Sequence, residues 1–272
     1  MSWSPYELPF QRDKFVQIVG ELYHSYTDKV DAGFIDDVLT SPLTWLDTDV
    51  CELIPDTFAD VPEWSLDAVL PGPSGFIAFE KSPTLIDATI PGLTESARMT
   101  CDGFWWNVAG DEVSVMLITR DSRAAGFAPG LPFTLIGAFG VNRDNPQDDG
   151  GVEIDVAHAK ALVGTTWLLM SQPRVIEDSD PVVVTRKPRK NRLISAPTVR
   201  VSTRTLTARY SPAGAPTGRK AEKRWWVRGH WRQQAWGKDR KLRKPVFIAP
   251  HTAGNADAPL EERPHVQVWR KQ

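Results

Sequence analysis

The sequence predicts an α+β protein, with an acidic mixed α/β N-terminal part and a small β-rich basic C-terminal module. Three observations lead there. Apolar residues recur at helical spacing in two places, after Pro9 and again over residues 156–170. Between them lie short apolar runs, bounded by Gly and Pro, that read as strands. Finally, the charge changes sign near residue 180: residues 1–180 hold 10 Lys and Arg against 29 Asp and Glu, a net −19, while residues 181–272 hold 22 against 5, a net +17.

The elements follow in chain order. Phe15, Ile18, Val19, Leu22, Tyr23 and Tyr26 mark one face of a first helix. Residues 31–70 are rich in Asp, with scattered anchors (Phe34, Leu39, Trp45, Leu46, Leu53, Phe58, Trp64), and read as short helices and loops. Pro71-Gly72-Pro73 punctuates the chain, and Gly75–Phe79 follows as a buried strand. Asp102–Val108 and Val113–Thr119 are strand-like runs divided by a hairpin signal, Ala109-Gly110-Asp111-Glu112. Pro132–Phe139 is another strand candidate, and Asn142–Gly151 an exposed polar loop. Val156, Ala159, Val163, Trp167 and Met170 share a face of the clearest helix, which Pro173 stops. Gly164 weakens that helix by roughly 1 kcal/mol relative to Ala, so packing must hold it.

Beyond residue 180 the texture changes. Arg186-Lys187-Pro188-Arg189-Lys190-Asn191-Arg192 reads as a solvated basic connector. Thr198–Leu206 alternates outward Arg200 and Arg204 with small or apolar residues. Ser211–Gly218 is a loop, Lys223–Gln233 a strand, Gly237–Arg240 a turn, Val246–Ile248 a short strand and His265–Arg270 a fourth. The expected organisation is therefore an acidic domain over 1–178, a connector over 179–194 and a basic module over 195–272, built as a small sheet or partial barrel.

Composition excludes several classes. No stretch approaches the ~20 apolar residues of a membrane span, and the N-terminus lacks the pattern of a secretory signal, so a cytoplasmic location is expected. The two cysteines, Cys51 and Cys101, are too few for a disulfide framework or a four-cysteine zinc site, and read as buried reduced thiols. No P-loop, G-x-S-x-G or G-x-G-x-x-G occurs in useful context, so no cofactor is expected. Asp148, Asp149, Glu153 and Asp155 imitate a metal site, but an acidic loop before a helix accounts for them, and no metal is assigned.

The densest constellation is Arg224-Trp225-Trp226-Val227-Arg228-Gly229-His230-Trp231-Arg232-Gln233-Gln234. On a strand, Trp226, Arg228, His230 and Arg232 fall on one side, and Trp225, Val227 and Trp231 on the other. The first face suits a bidentate grip on phosphates; the second is expected to pack on neighbouring strands. Lys238, Arg240, Lys241, Arg243 and Lys244 follow, read as a basic loop. Arg224, Trp226, Arg228, His230, Arg232 and these five form the candidate nucleic-acid-binding set, with Trp226, Trp231 and Trp236 as stacking surfaces. No recognisable motif for a specific duplex site is present, which favours single strands or structured RNA as ligands.

Two alternatives stay open. His230 and His251, flanked by Arg228 and Arg232, fit a metal-independent ribonuclease in which one His acts as base and the other as acid. The acidic half instead fits an inhibitor of a host protein, mimicking nucleic acid or masking the basic half. A binding protein is favoured over an enzyme.

The tail Trp226-Val227-Arg228-Gly229-His230-Trp231-Arg232-Gln233-Gln234, then Lys241 to His251, Pro259-Leu260 and His265 to Arg270, resembles an uncharacterised family of actinobacterial, plasmid and phage proteins. The helix end Thr166–Pro173 is also similar, so the resemblance spans roughly residues 160–272. It implies a mobile-element or phage context and carries no activity.

Overall fold

A computed structural model describes residues 3–26, 32–58, 66–88, 97–121, 133–142, 155–172, 175–185, 198–207, 223–227, 229–248, 251–254 and 258–259. The chain is α+β, and it divides into two compact units, Met1–Leu206 and Thr207–Gln272.

The first unit opens with helix α1 (Leu8–Tyr26), which carries Pro9 in its first turn, where a missing N–H costs nothing. Phe15, Ile18 and Val19 of the expected face are buried; the side chains of Leu22, Tyr23 and Tyr26 lie outside the described residues. Helix α2 (Ala32–Thr40) leads into strand β1 (Leu43–Leu46). Helix α3 (Thr48–Thr57) and the short α4 (Leu66–Val69) then lead to β2 (Ser74–Phe79). A small hairpin, β3 (Leu85–Ala88) with β4 (Ala97–Thr100), stands apart from the main sheet. Strands β5 (Gly103–Ala109), β6 (Glu112–Thr119) and β7 (Thr134–Asn142) form a meander, with Gly110 at φ +62° in the expected tight turn. Helix α5 (Val156–Met170) follows, then β8 (Ile176–Thr185) and β9 (Thr198–Leu206).

One seven-stranded mixed sheet unites these parts in the order β7-β6-β5-β2-β1-β9-β8. Strand β1 runs parallel to both β2 and β9, and every other neighbour is antiparallel. Its four residues are all buried, as befits a central strand between parallel partners. On one face, Phe15 of α1 meets Phe76 edge-on with centroids 5.5 Å apart, and Phe34 of α2 meets Trp105 at 5.0 Å. The Trp105 indole N–H donates to Ser41 Oγ at 3.0 Å, so this buried ring is also hydrogen-bonded. On the other face, Trp167 of α5 packs against Phe104 and Trp106. Helix α5 is buried from Leu162 to Leu169, around most of its circumference, where its sequence pattern marked a single face.

Gly75 is required by this packing. It pairs with Trp106 across β2 and β5, and a Cβ there would stand 2.1 Å from the indole ring. The ring lies over the glycine and donates its N–H to Gly72 O at 3.1 Å.

Two expectations about organisation need correction. The boundary expected at 178 falls inside β8, and Thr198–Leu206, expected in the basic module, is an interior strand of the main sheet. Val199 and Val201 point into the core, while Arg200 is exposed and Arg204 pairs with Asp178 at 2.8 Å across β8 and β9. Five of the seven basic residues between 181 and 206 fall in the Arg186–Arg192 segment, so the charge change came well before the structural division. The unit ending at Leu206 holds 17 basic against 29 acidic residues, net −12, and the rest 15 against 5, net +10. The Arg186–Arg192 connector and the polar loop over 143–150 lie outside the described residues.

Asp47 caps α3, accepting from the Val50 amide at 3.0 Å, while its own amide donates to Arg204 O. Burial raises its carboxyl pKa above the usual value, the Val50 hydrogen bond opposes this, and Asp49 and Glu80 add to the rise. A carboxyl whose folded pKa is raised favours the fold at low pH and loses that contribution as pH climbs through the folded value. Asp47→Asn keeps the cap without the buried charge. Its stability relative to wild type, from urea unfolding, should rise as pH climbs from about 4 and level off above the raised pKa. A fall over that range contradicts this account.

Candidate nucleic-acid interface

The described part of the second unit is two short antiparallel ladders. Strand β10 (Arg224–Val227) pairs antiparallel with β13 (His251–Gly254), and β11 (His230–Trp236) with β12 (Leu242–Ile248). Val227 faces His251 and His230 faces Ile248, so three residues separate the rungs on each strand. The Lys223–Gln233 strand expected from the sequence is divided near Gly229 into β10 and β11.

At the end of β13, Gly254 lies at φ +104°, where a Cβ would sit 2.4 Å from Lys223 O. The Arg224 amide donates to Pro259 O at 3.0 Å. Trp231 packs edge-on against Phe247, with centroids 5.1 Å apart, and Phe247 is buried. That pair anchors one face of the β11–β12 ribbon.

The opposite face carries His230 and Arg232 of β11 with Lys244, Val246 and Ile248 of β12, because cross-strand partners share a face. His230, Arg232 and Lys244 are exposed. The Arg232 guanidinium donates to Gln234 Oε1, which spreads it along the ribbon surface. The expected sorting of His230 and Arg232 away from Trp231 therefore holds.

The far end is a five-residue turn, Gly237–Lys241, between the last rung Trp236–Leu242. Gly237 (φ 77°), Asp239 (φ 61°) and Arg240 (φ 55°) all have left-handed backbones, and the Arg240 amide closes back onto Gly237 O at 3.2 Å. Lys238, Arg240 and Lys241 lie in this turn, as expected. Arg243 and Lys244 do not: both are on β12. Pro245 made that segment read as a loop, but each strand of a two-stranded ribbon is an edge, where a residue without an N–H is tolerated. Every residue from Gly237 to Lys244 is exposed.

Three further placements matter. Trp225, expected to pack inward, is 43% exposed, which its position in an apolar-looking run did not reveal. Trp231, named as a stacking surface, is half-buried on Phe247 instead. Residue Arg228, the strand expected over His265–Arg270 and the side chains of Trp226 and Trp236 lie outside the described residues.

His251 pairs with Val227 in the β10–β13 ladder and His230 with Ile248 in the β11–β12 ladder, so the two histidines stand on different ladders.

Elsewhere, Cys51 and Cys101 are both buried, and burial pushes each thiol up to about 12, which leaves neither a reactive thiolate. Asp155 serves as the N-cap of α5, accepting from the His158 amide at 3.0 Å, and His158 itself meets Thr84 Oγ1 at 2.9 Å. Among the described residues no cluster of three or more His, Cys, Asp or Glu is placed to hold a metal ion. No described helix is long and apolar enough to cross a membrane. No protein-family model and no curated protein matches the chain.

Proposed function

We propose that the C-terminal unit binds nucleic acid, in a regulatory or host-interaction role within the cytoplasm. The observation that carries this reading is the exposed run Gly237–Lys244, which presents Lys238, Arg240, Lys241, Arg243 and Lys244 against the single acid Asp239. With Arg232 these make six exposed cations at one end of a unit whose net charge is +10. Such a concentration of charge attracts a polyanion and releases its condensed counterions on contact. The resemblance of residues 160–272 to proteins of plasmids and phages adds a mobile-element or phage context to the proposal.

The test is binding of the full chain to fluorescent nucleic-acid probes, followed by anisotropy at several salt concentrations. Six phosphate contacts give a log–log slope of about −5, and a loss of about 10³ in affinity between 50 and 200 mM salt. No measurable binding at 50 mM salt removes the reading.

A further inference from the structure

We propose that the tip of the β11–β12 ribbon enters the major groove of double-stranded B-form DNA. This rests on the nucleic-acid reading above and names its ligand. Three features of the ribbon point to a groove with two phosphate walls rather than to a single strand.

The first is the distribution of charge. Arg232 and Lys244 lie on one face of the ribbon, Arg243 lies on the other, and Lys238, Arg240 and Lys241 occupy the turn between them. A strand lying along one face would leave the opposite cation idle. A ribbon inserted edge-first between two backbones uses both.

The second is the composition of the turn and the strand start that follows it. The exposed run Gly237–Lys244 contains no aromatic residue, and Trp231, nearer the base, is occupied by Phe247. Sequence-tolerant binding of single strands relies on aromatic side chains beneath successive bases.

The third is size. Paired strands stand about 4.8 Å apart, and the B-form major groove, about 12 Å wide and 8.5 Å deep, admits a two-stranded ribbon. Arg232 stands four residues, about 13 Å, behind Trp236 on β11, so the turn can reach the floor while Arg232 stays at the rim. The deep, narrow major groove of A-form RNA refuses such an insertion.

The experiment compares three 20-mer probes by anisotropy with the full chain at 50 mM salt: a mixed-sequence DNA duplex, one of its strands alone, and the RNA duplex of the same sequence. The DNA duplex should bind at least tenfold more tightly than either other probe, with bound chain protecting guanine N7 from methylation by dimethyl sulfate. Arg240→Gly, which suits the left-handed turn at φ 55° and removes a tip charge, should keep the thermal midpoint and weaken duplex binding by about tenfold. A preference below tenfold, an unprotected N7 or undiminished binding by Arg240→Gly overturns the duplex proposal while nucleic-acid binding stands. Failure of all three probes to bind overturns both.

Discussion

Asp102→Ala should lower the stability of the first unit by about 3–5 kcal/mol, the largest effect expected from removing one polar side chain. Asp102 follows β4 and is almost wholly buried. Its carboxylate accepts from the Arg120 guanidinium at 2.8 Å, the Arg120 amide at 2.7 Å and Thr100 Oγ1 at 2.7 Å. The guanidinium in turn lies 5.2 Å from the centre of the Trp3 ring, which ties the start of the chain to the end of β6. Truncation leaves the Arg120 amide without its acceptor and a largely buried cation with only the longer 3.4 Å contacts to Phe79 O and Glu80 O. The midpoint of thermal unfolding should fall by about 6–20 °C for a unit of this size. Replacing both partners, Asp102→Ala with Arg120→Met, should restore part of the loss, because the penalty lies in the stranded charge more than in the absent pair. A single-variant loss below about 1 kcal/mol, or a double variant no better than the single, refutes this account.

How much of this was legible beforehand depended on whether the signal was local. Helix α5 announced itself through apolar spacing and Pro173, and the β5–β6 hairpin through Gly110. Strand β1 did not: four buried residues, Leu43–Leu46, are too short to show a period, and their strand character comes from β2 and β9 on either side. Strand β8 was hidden for the opposite reason. Pro181, Glu177, Asp178 and Asp180 give it the composition of a linker, yet an edge strand with a register shift between Ser179 and Val182 accommodates them all. The sign change of charge near residue 180 thus fell 26 residues before the structural division at Leu206. At the candidate interface, alternation correctly sorted His230 and Arg232 from Trp231. It did not reveal that Arg243 and Lys244 continue the ribbon, nor that His251 pairs with Val227, since cross-strand register is set by pairing between distant segments.

Replacing Lys238, Lys241 and Lys244 together with Gln should reduce nucleic-acid affinity about 500-fold at 0.1 M salt and flatten the log–log salt slope by about 2.7. All three side chains are exposed, two in the turn and one on β12, so their removal should leave the fold intact. The magnitude follows from counterion release: each lost phosphate contact withdraws about 0.9 from the slope, and three contacts at that salt amount to nearly three decades. Hydrogen-bond loss alone would be smaller and nearly independent of salt. Lys14→Gln with Lys160→Gln, on helices α1 and α5 of the first unit, is the matched control and should leave both affinity and slope unchanged. If the control lowers the slope as much per lysine as the ribbon variant does, binding is spread over the whole surface and the ribbon has no special part in it. If the ribbon variant loses affinity with an unaltered slope, the lysines act by shaping the turn, and phosphate contact at this tip is disproved.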